Sequence, residues 1–202
     1  MKKWLAIAAA AIFAVSLPAT PLNPCSAGDD VLATGYACAL GPLTFSNFWA
    51  IPVPGPIKIG AAGIVGSEAI LAFNPGFLQG PYDFWFGFNV TGPHKGIDMD
   101  LTTGSSKSGI EETVCAVPLG LGGSCPQNQI LAHLTVFSGQ RGEAAYLAMA
   151  SAGYIFKDVG VGRGGSLSRF SQSFYIVPEP MTLLLIGSGL LGLGLLRRRI
   201  AK

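Results

Sequence analysis

From Tyr82 to Thr91 the chain alternates without a break. Tyr82, Phe84, Phe86, Phe88 and Val90 fall on one side, with Asp83, Asn89 and Thr91 on the other. A side-chain period of two belongs to an extended strand. A helix would spread those aromatic rings round its circumference and leave several in water. The segment is therefore half of a buried interface, and another apolar layer must cover its Phe row.

Similar short signals recur along the body. They cover 43–49, 57–65, 69–73, 82–90 and 97–102, then 111–117, 129–137, 146–150, 154–159 and 168–177. Gly, Pro, Asn or Ser punctuates the gaps. Phe170, Phe174 and Ile176 repeat the apolar row near the end. No window of about eleven residues holds a helical period. About eight to ten short strands predict an all-β body, an antiparallel two-sheet β-sandwich of jelly-roll type. The Gly/Pro-rich stretches 52–56, 120–127 and 160–165 are expected as loops at its ends.

Both chain ends differ from this body. Met1-Lys2-Lys3 is a short basic region, Trp4 to Val15 is apolar, and small or turn-forming residues follow. That order is a secretory signal peptide, expected as a helix over residues 1–24 with its cut between 19 and 27. Cleavage after Ala19 leaves Cys25 on the mature chain, and cleavage after Ala27 removes it. At the other end an apolar run spans 181–196, followed by Arg197, Arg198 and Arg199. As a helix it measures roughly 24 Å, marginal against a bilayer core of about 30 Å. Pro178 and Pro180 stop that helix from growing backwards and leave Glu179 in an extended, accessible stretch. Basic residues beside both apolar ends hold the ends cytoplasmic, so the body between them lies outside the inner membrane.

Net charge is +2 for the whole chain, but the ends supply the excess. Lys2, Lys3, Arg197, Arg198, Arg199 and Lys202 are six of the thirteen basic residues, and Glu179 is one of the eleven acidic ones. The body keeps seven against ten, near −3. It offers no basic surface for nucleic acid. Charged residues make up 12% of the chain, about half the share in an ordinary soluble domain. Few charges with many Gly, Ser, Thr and aromatic residues suit an exported β-domain.

Four cysteines occur, Cys25, Cys38, Cys115 and Cys125. In an oxidising compartment an even number implies disulfides. Three pairings are open, and loop length favours Cys25 with Cys38 and Cys115 with Cys125. Each bridge would restrain the unfolded chain by roughly 3 kcal/mol. The spacing lacks a Cys-x-x-Cys pair, and His94 and His133 lie in separate segments, so a zinc site is not expected.

Chemistry-bearing residues are sparse. Asp98 and Asp100 have the spacing of a calcium-binding or acid–base pair. They alternate with Ile97, Met99 and Leu101, however, which makes them the wet face of a strand. Glu111 and Glu112 point to opposite faces. His94, between Gly92-Pro93 and Lys95-Gly96, is expected in an exposed turn. His133 lies opposite the Ile130/Ala132/Leu134/Val136 face. The run 160–165 lacks the Gly-Lys-Ser/Thr ending of a phosphate loop. No serine-hydrolase elbow exists. Neither an enzyme activity nor a cofactor is expected. Trp85 stands on the polar side of its strand near Asp83 and Asn89, a suitable place to stack on a sugar ring.

Val177-Pro178-Glu179-Pro180, the apolar run and the Arg cluster together resemble the PEP-CTERM sorting signal of exopolysaccharide-producing Gram-negative bacteria. That resemblance implies recognition of Val177, Pro178, Glu179 and Pro180 by an exosortase, a membrane cysteine peptidase. It makes Arg197, Arg198 and Arg199 the stop-transfer cluster. Body residues from Cys25 and Cys38 through Gly41-Pro42-Leu43-Thr44-Phe45-Ser46-Asn47-Phe48 are similar to a group of exported PEP-CTERM proteins. So are Phe156-Lys157-Asp158-Val159 and Phe170-Ser171-Gln172-Ser173-Phe174. The group has no established activity, so the likeness implies address and architecture only. The expectation is an exported domain over 25–176 and a sorting tail over 177–202. The protein would cross by the Sec translocon, rest in the inner membrane and move to the cell surface or extracellular matrix. Its role there would be structural or adhesive, in contact with exopolysaccharide.

Overall fold

The computed structural model describes residues 22–138 and 142–177. Most of the expected signal peptide and the tail from Pro178, including the 181–196 span and the Arg cluster, lie outside the described residues. Among the described residues no helix is long and apolar enough to cross a membrane.

The body is all-β. Its strands are β1 (Cys38–Leu40), β2 (Leu43–Ile51), β3 (Lys58–Val65), β4 (Glu68–Asn74) and β5 (Leu78–Gln79), followed by β6 (Tyr82–Gly104), β7 (Ser108–Cys115), β8 (Ile130–Phe137), β9 (Glu143–Val161) and β10 (Ser166–Ile176). All pairings between them are antiparallel, and all ten belong to one hydrogen-bonded sheet.

Two strands are much longer than the sequence suggests. The signals at 82–90 and 97–102 are one strand, β6, and those at 146–150 and 154–159 are one strand, β9. Gly92-Pro93 reads locally as a turn, but here it is a bulge. The β6–β9 register slips between Thr91 and His94 and again between His94 and Gly96. A bulge absorbs a residue with no N–H to give to the ladder. Gly92 has φ +117°, and a Cβ there would meet the Pro42 carbonyl at 2.3 Å. Glycine therefore serves both the backbone conformation and the close approach at this position.

The bulge divides β6 between two sets of partners. Before it, residues 85–91 pair with β2 and residues 82–91 with the end of β9. After it, β6 lies between β10 and the start of β9. The sheet thus has two halves joined through β6 and β9, one ending in β7 and β8 and the other in β4 and β3. Phe86 of the first half meets Phe73 and Phe170 of the second at ring-centroid distances of 5.0 and 5.8 Å, and Phe45 meets Phe174 at 5.4 Å. Phe84, Phe86, Phe88 and Val90 are all buried, as their alternation predicts. Each such ring contributes ~1.5–3 kcal/mol by leaving water.

The cysteines pair as loop length favours, Cys25 with Cys38 and Cys115 with Cys125. The first bridge ties the segment before β1 to that strand. The second closes the connection between β7 and β8, which carries two short 3-10 turns, Leu121–Gly123 and Gln127–Gln129.

Candidate functional site

The outer face of the first half gathers most of the exposed chemistry. Pairing places Trp85, Asp158, Glu111 and Thr135 in one row across β6, β9, β7 and β8. The neighbouring row is Trp49, Gly87, Phe156, Thr113 and His133. Side chains in adjacent rows on one face touch. Phe156 stands 6.1 Å from both Trp49 and Trp85, centroid to centroid. Trp85 is 38% exposed, so it is only partly covered. Its cover is the disulfide-closed connection, where a Cβ on Gly122 would lie 3.8 Å from the indole. Gly123, at φ +76°, sits so close to Phe156 that a Cβ would collide with the ring at 2.0 Å.

Beside these rings runs a groove of about 700 Å³, lined among others by Tyr82, Asp83, Lys107, Glu111, Phe137 and Asp158. The Asp158 carboxyl lies beside Trp85, its ladder partner, and near Asp83. Partial burial first, then the Asp83 hydrogen bond and charge, then Glu111, push the Asp158 carboxyl above its ordinary range. Glu111 Oε1 lies 3.0 Å from His133 Nε2, and Thr113 Oγ1 lies 3.3 Å from His133 Nδ1. Both partners of that exposed pair face water, so the pair adds little stability. The face offers flat apolar rings, several oxygen acceptors and few fixed cations.

Asp98 and Asp100 sit where their alternation puts them. Ile97, Met99 and Leu101 are buried, and the two carboxylates share a hollow with Glu68, Ser171 and Ser173 on the second half. Burial, then Glu68 and Asp100, raise the Asp98 carboxyl. Among the described residues no group of three or more His, Cys, Asp or Glu is arranged to hold a metal ion.

His94 is not an exposed turn residue. It is completely buried within β6, because the bulge turns residue 94 inward. Its ring packs edge-on against Phe174 at 5.7 Å, and its Nδ1 lies 2.8 Å from the Gly92 carbonyl. Nδ1–H is then the donor, and Nε2 finds no partner among the described residues. Burial pushes the imidazole below its ordinary value, so the ring stays neutral.

A second polar group went unread in the sequence. Glu112 on β7 and Lys157 on β9 are direct partners across the ladder, and both are completely buried. The Lys157 ammonium contacts Glu112 Oε2 and Gln172 Oε1, and lies 3.4 Å from Met99 Sδ. Gln172 Nε2 donates to the Asp98 carbonyl at 2.8 Å. Burial raises the Glu112 carboxyl and lowers the Lys157 amine against the pull of each on the other. Both shifts move the pair toward its neutral form. The signal was present: Lys157 interrupts the inward row Ile155, Val159, Val161, and Glu112 interrupts Ile110, Val114. No model of a known protein family and no curated protein matches the chain.

Proposed function

We propose that this is an exported protein of the cell surface or extracellular polysaccharide matrix. A signal peptide over 1–24 would deliver it, and an exosortase would sort it through Val177–Lys202. Its role there would be structural or adhesive. The reading rests on one conjunction: a body closed by two disulfides lies between two apolar ends flanked by basic residues. Disulfides persist where the compartment is oxidising. In the same reading the two halves of the sheet are the layers of a jelly-roll-like sandwich, flanked by a signal helix and a membrane helix. The Phe contacts between the halves support that.

The test is cellular. In an exosortase-deficient strain, or with Pro178→Ala and Pro180→Ala together, the processed form should vanish and a heavier membrane-held form accumulate. Full-length, reduced protein in the cytoplasm of the parent strain would end the reading.

The outer face favours a second reading, contact with polysaccharide. Trp85, backed by Trp49 and Phe156, presents part of its ring, and Asp83, Asp158 and Glu111 accept hydrogen bonds from sugar hydroxyls. Asp83 and Asp158 line the same groove. On a column of the producing strain's exopolysaccharide, Trp85→Ala should lower retention about tenfold. If the parent protein is not retained on any polysaccharide tried, this reading fails.

A further inference from the structure

We propose that Lys157 and Gln172 become joined by an amide bond that the folded protein makes for itself, with Glu112 as the catalytic proton carrier. Three groups with complementary chemistry meet in a space closed to water. The nucleophile is the Lys157 amine, the electrophile is the Gln172 carboxamide, and the Glu112 carboxyl touches the amine. The second carboxylate oxygen of Glu112, Oε1, is buried and has no hydrogen-bond partner among the described residues. The amine contacts Gln172 Oε1, and the carboxamide carbon lies only one C=O bond, about 1.23 Å, beyond that oxygen. The two groups that would react are thus neighbours in the closed core.

The surroundings favour reaction over a lasting ion pair. Two full charges in a dry core cost several kcal/mol per ion, and only good geometry offsets that. Moving one proton from the Lys157 ammonium to Glu112 removes both charges and leaves a nucleophilic amine beside a carboxylic acid. Phe170, whose ring centroid is 5.9 Å from Nζ, helps keep water away. The carboxamide is held at its other end by the Asp98 carbonyl, so it cannot turn from the amine.

The step balances without an added reagent. Nζ attacks the Gln172 carbonyl carbon, and Glu112 donates to Oε1 as the tetrahedral centre forms. Glu112 then takes a proton from Nζ and passes one to Nε2. The C–Nε2 bond breaks as the Oε1 proton returns to Glu112, ammonia leaves, and Lys157 is bonded to Gln172 through a secondary amide. Nothing is oxidised or reduced. Lys157 sits in the first half of the sheet and Gln172 in the second, so the bond would lock the halves together.

Mass spectrometry decides it. The exported, disulfide-bonded chain is purified, reduced, denatured and digested with trypsin. The expected product is a branched peptide linking Gly142–Arg163 to the peptide beginning at Phe170. It should run uncut through residue 157, because an acylated Lys157 resists trypsin, and be lighter than the sum of its parts by the one ammonia lost, about 17 Da. Glu112→Gln should lower the branched fraction at least tenfold while both disulfides still form. Lys157→Met and Gln172→Leu should abolish it. Finding cleavage after Lys157 and an unmodified Gln172 peptide as the main species overturns the proposal, and this reading of the parent protein stands even if a variant fails to fold. Loss of water with a branch at Glu112 overturns the choice of Gln172. An unchanged branched fraction in a folded Glu112→Gln protein overturns the role given to Glu112.

Discussion

Asp158 carries a conflict that one substitution can relieve. Its carboxyl faces Asp83 and Glu111, and its folded form holds a proton more tightly than the unfolded chain does. Such a group lowers stability at neutral pH, and the penalty fades as pH falls toward the unfolded value of about 3.9. Asp158→Asn should therefore stabilise the body at pH 7, by less than about 1 kcal/mol given its partial exposure, and change nothing near pH 4. Urea unfolding at the two pH values measures this. His94 runs the other way. Its imidazole is buried neutral, so the unfolded chain binds the extra proton first. Stability should fall as pH drops below about 6.5, by at most about 1.4 kcal/mol per unit, and His94→Leu should flatten that slope between pH 6.5 and 5. A thermal melt series over that range would show it. The sequence revealed Asp98, Asp100 and His133 correctly because each occupies the polar side of an alternating row. Lys157 and Glu112 stayed hidden because charged side chains are almost never fully buried unless paired, and their pairing spans separate strands.

Elements were legible where local chemistry decides them. The Phe row of β6 needs only its own pleat to be recognised. The continuity of β6 through Gly92-Pro93 depends on β10 and β9 lying alongside, which no local window contains. β1 and β5, three and two residues long, are too short to show an alternation of their own. The connection between β7 and β8 shows how a loop can be shaped by what it touches. Gly123 lies against Phe156 with no room for a methyl group. Gly123→Ala should cost about 1–3 kcal/mol through crowding and the positive φ, read in urea unfolding, and should raise Trp85 fluorescence quenching by acrylamide as the loop lifts. Removing the neighbouring bridge with Cys115→Ser and Cys125→Ser should cost roughly 2–4 kcal/mol.

At the scale of the molecule, one hydrophobic core among the described residues runs from β3 to β8. Phe86 sits near its centre, touching Phe48, Phe73, Phe88 and Phe170. Phe86→Ala should cost about 3–5 kcal/mol and still leave one cooperative transition, because neither half of the sheet has a core of its own. Calorimetry would reveal two transitions if the halves were independent. Strand order adds a constraint on how the protein is made. The last strand of the body, β10, is inserted between β4 and β6 in the middle of the sheet. Until residues 166–176 have emerged, β4 and the far end of β6 present bare backbone edges to their surroundings. A polypeptide delivered N-terminus first must therefore wait, incomplete and adhesive, for its final segment. Stopping synthesis at Gly165 should yield material that clumps, whereas eleven more residues should let it close.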